Sequence, residues 1–248
     1  MMIKIWLNVL TLVFALVLNA LATALPLNGI DTGEISDRLE VLFTPAGYVF
    51  SIWGVIYLAL IIWTFRQFKP YHQTRAVYQD THILFWLINL LNGIWLITWH
   101  YFYFGIGVIV MILLLVLLIG MYNVINQVKD QAFDRWPFSL YLGWISVATI
   151  ANISYYLTEI GWNGFGIAAD MWTLILLAVA FVLATWFRYT QSDIVYPLVF
   201  IWALVGVGVE NQGVSEVVSM TSFIISGLLV LVIFFVKKKK HTLSFSRS

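Results

Sequence analysis

Eight runs of apolar residues, each near the length that crosses lipid hydrocarbon, leave this chain few ways to fold. They cover approximately 5–25, 47–66, 82–101, 105–126, 137–157, 169–188, 195–209 and 217–236. Inside lipid every backbone N–H and C=O has to be bonded within its own segment, so such a run crosses as a helix. Composition agrees: 62% of the 248 residues are hydrophobic and 10% are charged, against about 25% charged in a soluble domain. The expected fold class is all-α, a polytopic membrane helical bundle of about eight transmembrane helices. The seventh run is short and carries Gly206 and Gly208, which leaves seven helices as an alternative count. The first, led by Lys4 and ending Ala22-Thr23-Ala24, has the outline of a secretory leader. Its apolar stretch exceeds the ~7–15 residues usual in a leader, so a retained helix is expected.

The basic residues set the expected orientation. With the N-terminus inside, Lys4, Arg66, Lys69, Arg75, Lys129, Arg135, Arg188, the run from Lys237 to Lys240 and Arg247 all fall inside, and Arg38 alone falls outside. The positive-inside rule therefore predicts cytoplasmic N- and C-termini and an even number of helices. The outer segments are acidic, holding Asp31, Glu34, Asp37, Glu40, Glu159, Glu210 and Glu216. The four-lysine run reads as an anchor at anionic headgroups. A bacterial cytoplasmic membrane fits this pattern, with membrane lipids as surroundings and no nucleic acid as partner.

Several chemistries are excluded or disfavoured. The chain has no cysteine, hence no disulfide and no thiolate nucleophile or ligand. It lacks a phosphate-binding glycine loop, a dinucleotide fingerprint, and zinc-protease or serine-hydrolase motifs. No acid, base or nucleophile pair lies within the runs, so an enzyme is not expected. Of His72, His82, His100 and His241, three fall inside and one outside, which disfavours paired haem ligation. Asp170 and Glu210 sit near the ends of runs and read as interfacial carboxylates rather than an ion path.

Three stretches carry more than hydrophobicity. Phe43 to Tyr57 reads FTPAGYVFSIWGVIY; Phe50, Trp53 and Tyr57 share one helical face there. Such a face is either an interfacial belt with packing or a wall for a planar apolar ligand. The third run, HILFWLINLLNGIWLITWHY, aligns Asn89, Asn92, Trp95 and Trp99. An amide in lipid has to be bonded, so Asn92 faces protein or a cavity, as interhelical glue or as a ligand contact. The fifth, FSLYLGWISVATIANISYYL, lines up Tyr141, Trp144, Ala148, Asn152 and Tyr155. That stripe joins aromatics, a small residue and an amide.

In this order the three stretches resemble the TspO/MBR family, the tryptophan-rich sensory and translocator proteins. The first matches a pattern of roughly F-T-P-P-G-W-V-F followed by a Trp and a Tyr, with Ala46 for the second proline, Tyr48 for the tryptophan and one residue fewer between Phe50 and Trp53. The second matches N-x-x-W at Asn92 and Trp95. The third matches P-Y-x-x-W with a later Ala and Asn, Leu140 standing where the proline would be. The resemblance covers the first five runs. It implies a five-helix domain over 1–158, with a three-helix extension over 159–236 and a basic tail over 237–248. It also implies a cavity for porphyrin, other tetrapyrrole or haem-like planar ligands, with no cofactor required. Trp53 and Trp144 would be facing walls, Tyr57, Asn92 and Asn152 polar contacts, and Ala148 the close-approach position. Trp95 and Tyr48 would help close the pocket, alongside Pro45 and Tyr141. The outer loop from Pro26 to Thr44 would be its lid. Transport, sensing or stress regulation, or tryptophan-assisted porphyrin breakdown, could follow binding, and a homodimer is compatible with it. The sterol-contact pattern is missing after Tyr155-Tyr156, so cholesterol handling is not expected. Two other readings stand beside this one. One is a secondary transporter of a small metabolite using the last three runs. The other is a structural membrane protein in which the aromatics only pack.

Overall fold

The computed structural model describes residues 2–23, 27–128 and 132–236. The lysine run at 237–240, Lys129, His241 and Arg247 lie outside these. Among the described residues there are eight long helices and no strand. They are α1 (Met2–Thr23), α2 (Ile52–Arg66, entered through a 3-10 turn at Gly47–Ser51), α3 (His82–His100), α4 (Phe104–Val128), α5 (Ala132–Glu159), α6 (Ala169–Gln191), α7 (Val195–Glu210) and α8 (Glu216–Phe235). With the 3-10 turn counted into the α2 span (Gly47–Arg66), seven of these spans are long and apolar enough to cross a membrane, and α7, at 16 residues, is shorter.

The first five helices close a ring in the order α1, α3, α4, α5, α2 and back to α1. α7 packs outside this ring against α5 and against the 3-10 turn that leads into α2, and α6 and α8 pack on α7. The last three helices thus join the five through α7. The short helix survives because three long ones surround it, burying Tyr196, Phe200, Leu204 and Val207.

Charge is sorted to the two ends of the bundle. At the basic end Asp134, fully buried, pairs with Arg75 at 2.5 Å and accepts from the Tyr78 hydroxyl at 2.7 Å. Arg66 stands 3.9 Å from the same carboxylate. Arg135 pairs with Asp193 at 3.2 Å, and Asp193 also caps the start of α7 through the backbone N–H of Val195 at 2.8 Å. α5 begins at 132 rather than near 137 because these pairs let Asp134 and Arg135 sit in helix. Above this end Trp63 packs against Tyr78, Phe85 and Phe138 at ring separations of 5.1, 5.1 and 5.0 Å.

Gly206 is where α7 meets the ring. A Cβ there would lie 2.2 Å from Val49 Cγ2 and 3.1 Å from Pro45 Cβ, whereas one at Gly227 on α8 would meet nothing within 4 Å. Gly206→Ala is therefore expected to destabilise the protein by about 1–3 kcal/mol through overpacking. Gly227→Ala should be neutral or slightly stabilising. Thermal unfolding of the two variants in detergent checks the contrast; equal midpoints would remove the contact from the account.

Candidate functional site

The site is built at the acidic end, where α3 and α5 present their aromatic stripes to the turn leading into α2. Trp95 and Trp99 come from α3, and Trp144, Val147, Ala148, Ala151, Asn152 and Tyr155 from α5. Pro45 and Phe50 close the side, and Thr32, Ser36 and Thr44 form the roof. The cavity they enclose is about 30 Å³, room for one or two waters.

The roof is an ordered lid. Asp31 caps the one-turn helix Thr32–Ser36, accepting from the backbone N–H of Gly33 at 2.7 Å and Glu34 at 2.9 Å, while the Glu34 carboxylate accepts from Asp31 N–H at 3.0 Å. This is the reciprocal capping box expected of an acidic residue three positions before a glutamate. Three ring residues hold the lid down. Tyr155 donates its hydroxyl to the Ile35 carbonyl at 2.8 Å, and the Trp99 indole donates to the Thr32 carbonyl at 3.3 Å. His100 Nδ1 lies 3.1 Å from the Leu27 carbonyl and Nε2 lies 3.0 Å from Thr32 Oγ1. A carbonyl only accepts, so in the neutral ring Nδ1 carries the proton and Nε2 accepts from the Thr32 hydroxyl. Burial, reinforced by the Asp31 and Glu34 charges, holds the Asp37 carboxyl above its usual pKa.

Of the residues expected from sequence, Pro45, Trp95, Trp144, Ala148 and Asn152 line the cavity. Trp53 lies beneath it as a hub. Its ring centre is 6.2 Å from Trp95, 6.1 Å from Trp144, 5.7 Å from Tyr141 and 5.5 Å from Tyr57. Trp53 meets Trp144 edge to face at 83°, so the two are in contact rather than walls across a gap. Tyr57 donates to Asn92 Oδ1 at 2.8 Å one layer deeper, where Tyr141 is also buried. Tyr48 leaves the group; it is 45% exposed and sits 5.4 Å from Trp202 on α7. Asn152 Oδ1 accepts from the Trp95 indole at 3.0 Å. The Trp144 indole N–H is buried with no partner among the described residues.

Trp99, Tyr155 and Phe50 belong to the lining but not to the expected set. All three lie on the helical stripes or the aromatic face already visible in the sequence, Trp99 and Tyr155 one turn nearer the lid. The lid residues Thr32, Ser36 and Thr44 carried no sequence signal beyond their place in the outer loop. Among the described residues no group of three His, Cys, Asp or Glu could hold a metal.

Residues 5–235 match the family model described as TSPO-like protein. The match runs through the three helices that follow α5 as well as through the ring. No curated protein and no solved structure matches the chain.

Replacing Asn152 by Leu leaves the buried Trp95 indole N–H without its acceptor. A loss of about 1–3 kcal/mol is expected, read as a lower denaturation midpoint in detergent. An unchanged midpoint would show that the bond contributes nothing to stability.

Proposed function

Since the chain belongs to the TSPO-like protein family and is an integral membrane protein, we propose that it binds porphyrin or a similar planar hydrophobic molecule beneath its lid. Transport, sensing or stress regulation would follow from that binding. The observation that carries the reading is the lining itself: Trp95, Trp99 and Trp144 converge with Phe50 around Ala148. Rings in that arrangement bury a flat apolar surface at about 25 cal/mol per Å² and orient it by stacking. The unpartnered Trp144 N–H offers a donor to a polar edge of the ligand.

Ligand sites are commonly about 300–1,000 Å³, so a cavity of about 30 Å³ has to open. The lid supplies the movable part, because hydrogen bonds from Trp99, His100 and Tyr155 hold its backbone. In this reading the basic end of the bundle is cytoplasmic. The lid then faces the outer side of the membrane.

Titration with protoporphyrin IX, followed by tryptophan quenching and porphyrin absorption, tests the proposal. Saturable micromolar binding is expected. Trp144→Phe and Ala148→Leu should each weaken it about tenfold, a loss of ~1.4 kcal/mol. Trp186→Phe, on the exposed face of α6, should leave it unchanged. Absence of saturable binding in the folded protein overturns the reading, and illumination of a complex shows whether breakdown follows.

Tyr155→Phe removes one lid bond, worth about 1 kcal/mol. Porphyrin association measured by stopped flow should then be about fivefold faster. An unchanged rate would mean that the lid is not the gate.

A further inference from the structure

A larger cavity lies on the adjacent face of α5. α5 and α6 follow one another in the chain but do not pack along their length, and the gap between their acidic-end halves forms a half-open cleft of about 450 Å³. This volume falls within the range of small-molecule sites. It is separated from the cavity beneath the lid by α5 and by the stretch Glu40–Thr44.

The two ends of this cavity differ in chemistry. Its depth is walled by Ile150, Ile153, Leu176 and Phe43. Hydroxyls also line it, but each is spent on its own helix: Ser154 donates to the Ile150 carbonyl, Thr158 to Ser154 and Thr173 to Ala169, at 2.9, 3.0 and 2.9 Å. No hydroxyl proton remains for a guest there, so the depth suits an alkyl chain. From Thr158 down to Ile150 it runs about 12 Å along the helix.

The rim is a built structure. The Trp172 indole donates to the Gly164 carbonyl at 2.8 Å, Trp162 packs 5.3 Å from Trp172, and Asn163 accepts from the Phe165 N–H at 3.1 Å. Among the described residues Glu40 is the one charged group that lines the cavity. Glu159 and Asp170 stand next in sequence to the lining residues Thr158 and Ala169. Arg38, the basic residue of this end, lies 4.6 Å over the Phe102 ring.

We infer that this cavity binds a single-chain cationic amphiphile, its alkyl tail between α5 and α6 and its ammonium head at the rim beside Glu40. Charge decides the head: a carboxylate or phosphate would meet an acidic rim, an ammonium a compensating one. The site is distinct from the one beneath the lid and does not depend on porphyrin binding there.

Photolabelling tests this with two probes of equal length in phosphatidylcholine nanodiscs near neutral pH, a diazirine-tagged dodecylamine and a diazirine-tagged dodecanoic acid. Labelled peptides are mapped by mass spectrometry. The amine should label peptides covering 150–176 saturably, be competed by untagged dodecylamine, and exceed the acid about fivefold. Glu40→Gln should erase that preference while tail labelling persists, and Leu176→Trp should abolish labelling at this site. Equal labelling by amine and acid overturns the head assignment and leaves ordinary lipid tails as the occupant. Label that does not saturate, or that spreads equally over the outward face of α4, overturns the site. The competition needs no variant, so it stands even if Leu176→Trp does not fold.

Discussion

Backbone outside an α-helix has to find partners for its polar groups wherever it is buried, and the stretch from Leu42 to Phe50, mostly buried, is such backbone. α7 meets the requirement. Asn211 donates to the Leu42 carbonyl at 2.8 Å, the Trp202 indole to the Val49 carbonyl at 3.1 Å, and the Gly206 carbonyl accepts from Ala46 N–H at 3.2 Å. The turn into α2 can then press against α7 where Gly206 has no side chain. The walls formed by Pro45 and Phe50, and the position of Trp53 below them, follow from this contact. A helix that looks like an appendage by sequence order is thus part of the scaffold of the first motif.

The helices were legible because hydrophobic length is a one-dimensional property. Most run ends agree with helix ends to within a few residues. α5 is the exception, since its first turn carries Asp134 and Arg135, and only their distant partners Arg75 and Asp193 make a helical start possible there. The site was legible as faces but not as depth. Helical spacing correctly put Trp95, Trp144, Ala148 and Asn152 together, yet could not tell which turn would meet the lid. Tyr57, Asn92 and Tyr141 lie one layer below the closed cavity, and Trp99 and Tyr155, outside the expected set, line it. Tyr48 lies away from this cavity for a local reason. It lies in the 3-10 turn Gly47–Ser51, and its ring packs edge to face against Trp202; its expected place came from the resemblance alone, which does not fix the direction of a ring in a turn.

The distribution of polar groups bears on what the bundle does. Each described carboxylate is in a loop or within the first or last turns of its helix, and the buried ones at the basic end, Asp134 and Asp193, are already paired. Midway through the ring the polar groups are neutral, as in the bond between Tyr57 and Asn92. Ion-coupled transport uses ionisable groups at membrane depth. A tryptophan-lined cavity with neutral amides is the lining that the proposed binding of a planar apolar guest calls for.

One short strap links the two cavities. Phe43 lines the space between α5 and α6, and Thr44, the next residue, lines the space beneath the lid. Leu42 and Phe43 sit in a turn closed by the Thr44 N–H to Val41 carbonyl bond at 2.8 Å, and the change of chain direction there lets neighbouring residues wall two different cavities. α5 does the same with Ile150 on one side and Ala151 on the other. The strap is held on both sides: Asn211, which follows α7, donates to the Leu42 carbonyl, and the Gly206 carbonyl accepts from the Ala46 N–H. Were both proposed sites filled, a guest displacing Phe43 would press on Thr44 through this strap. Any such effect of one guest on the other's affinity would be reciprocal.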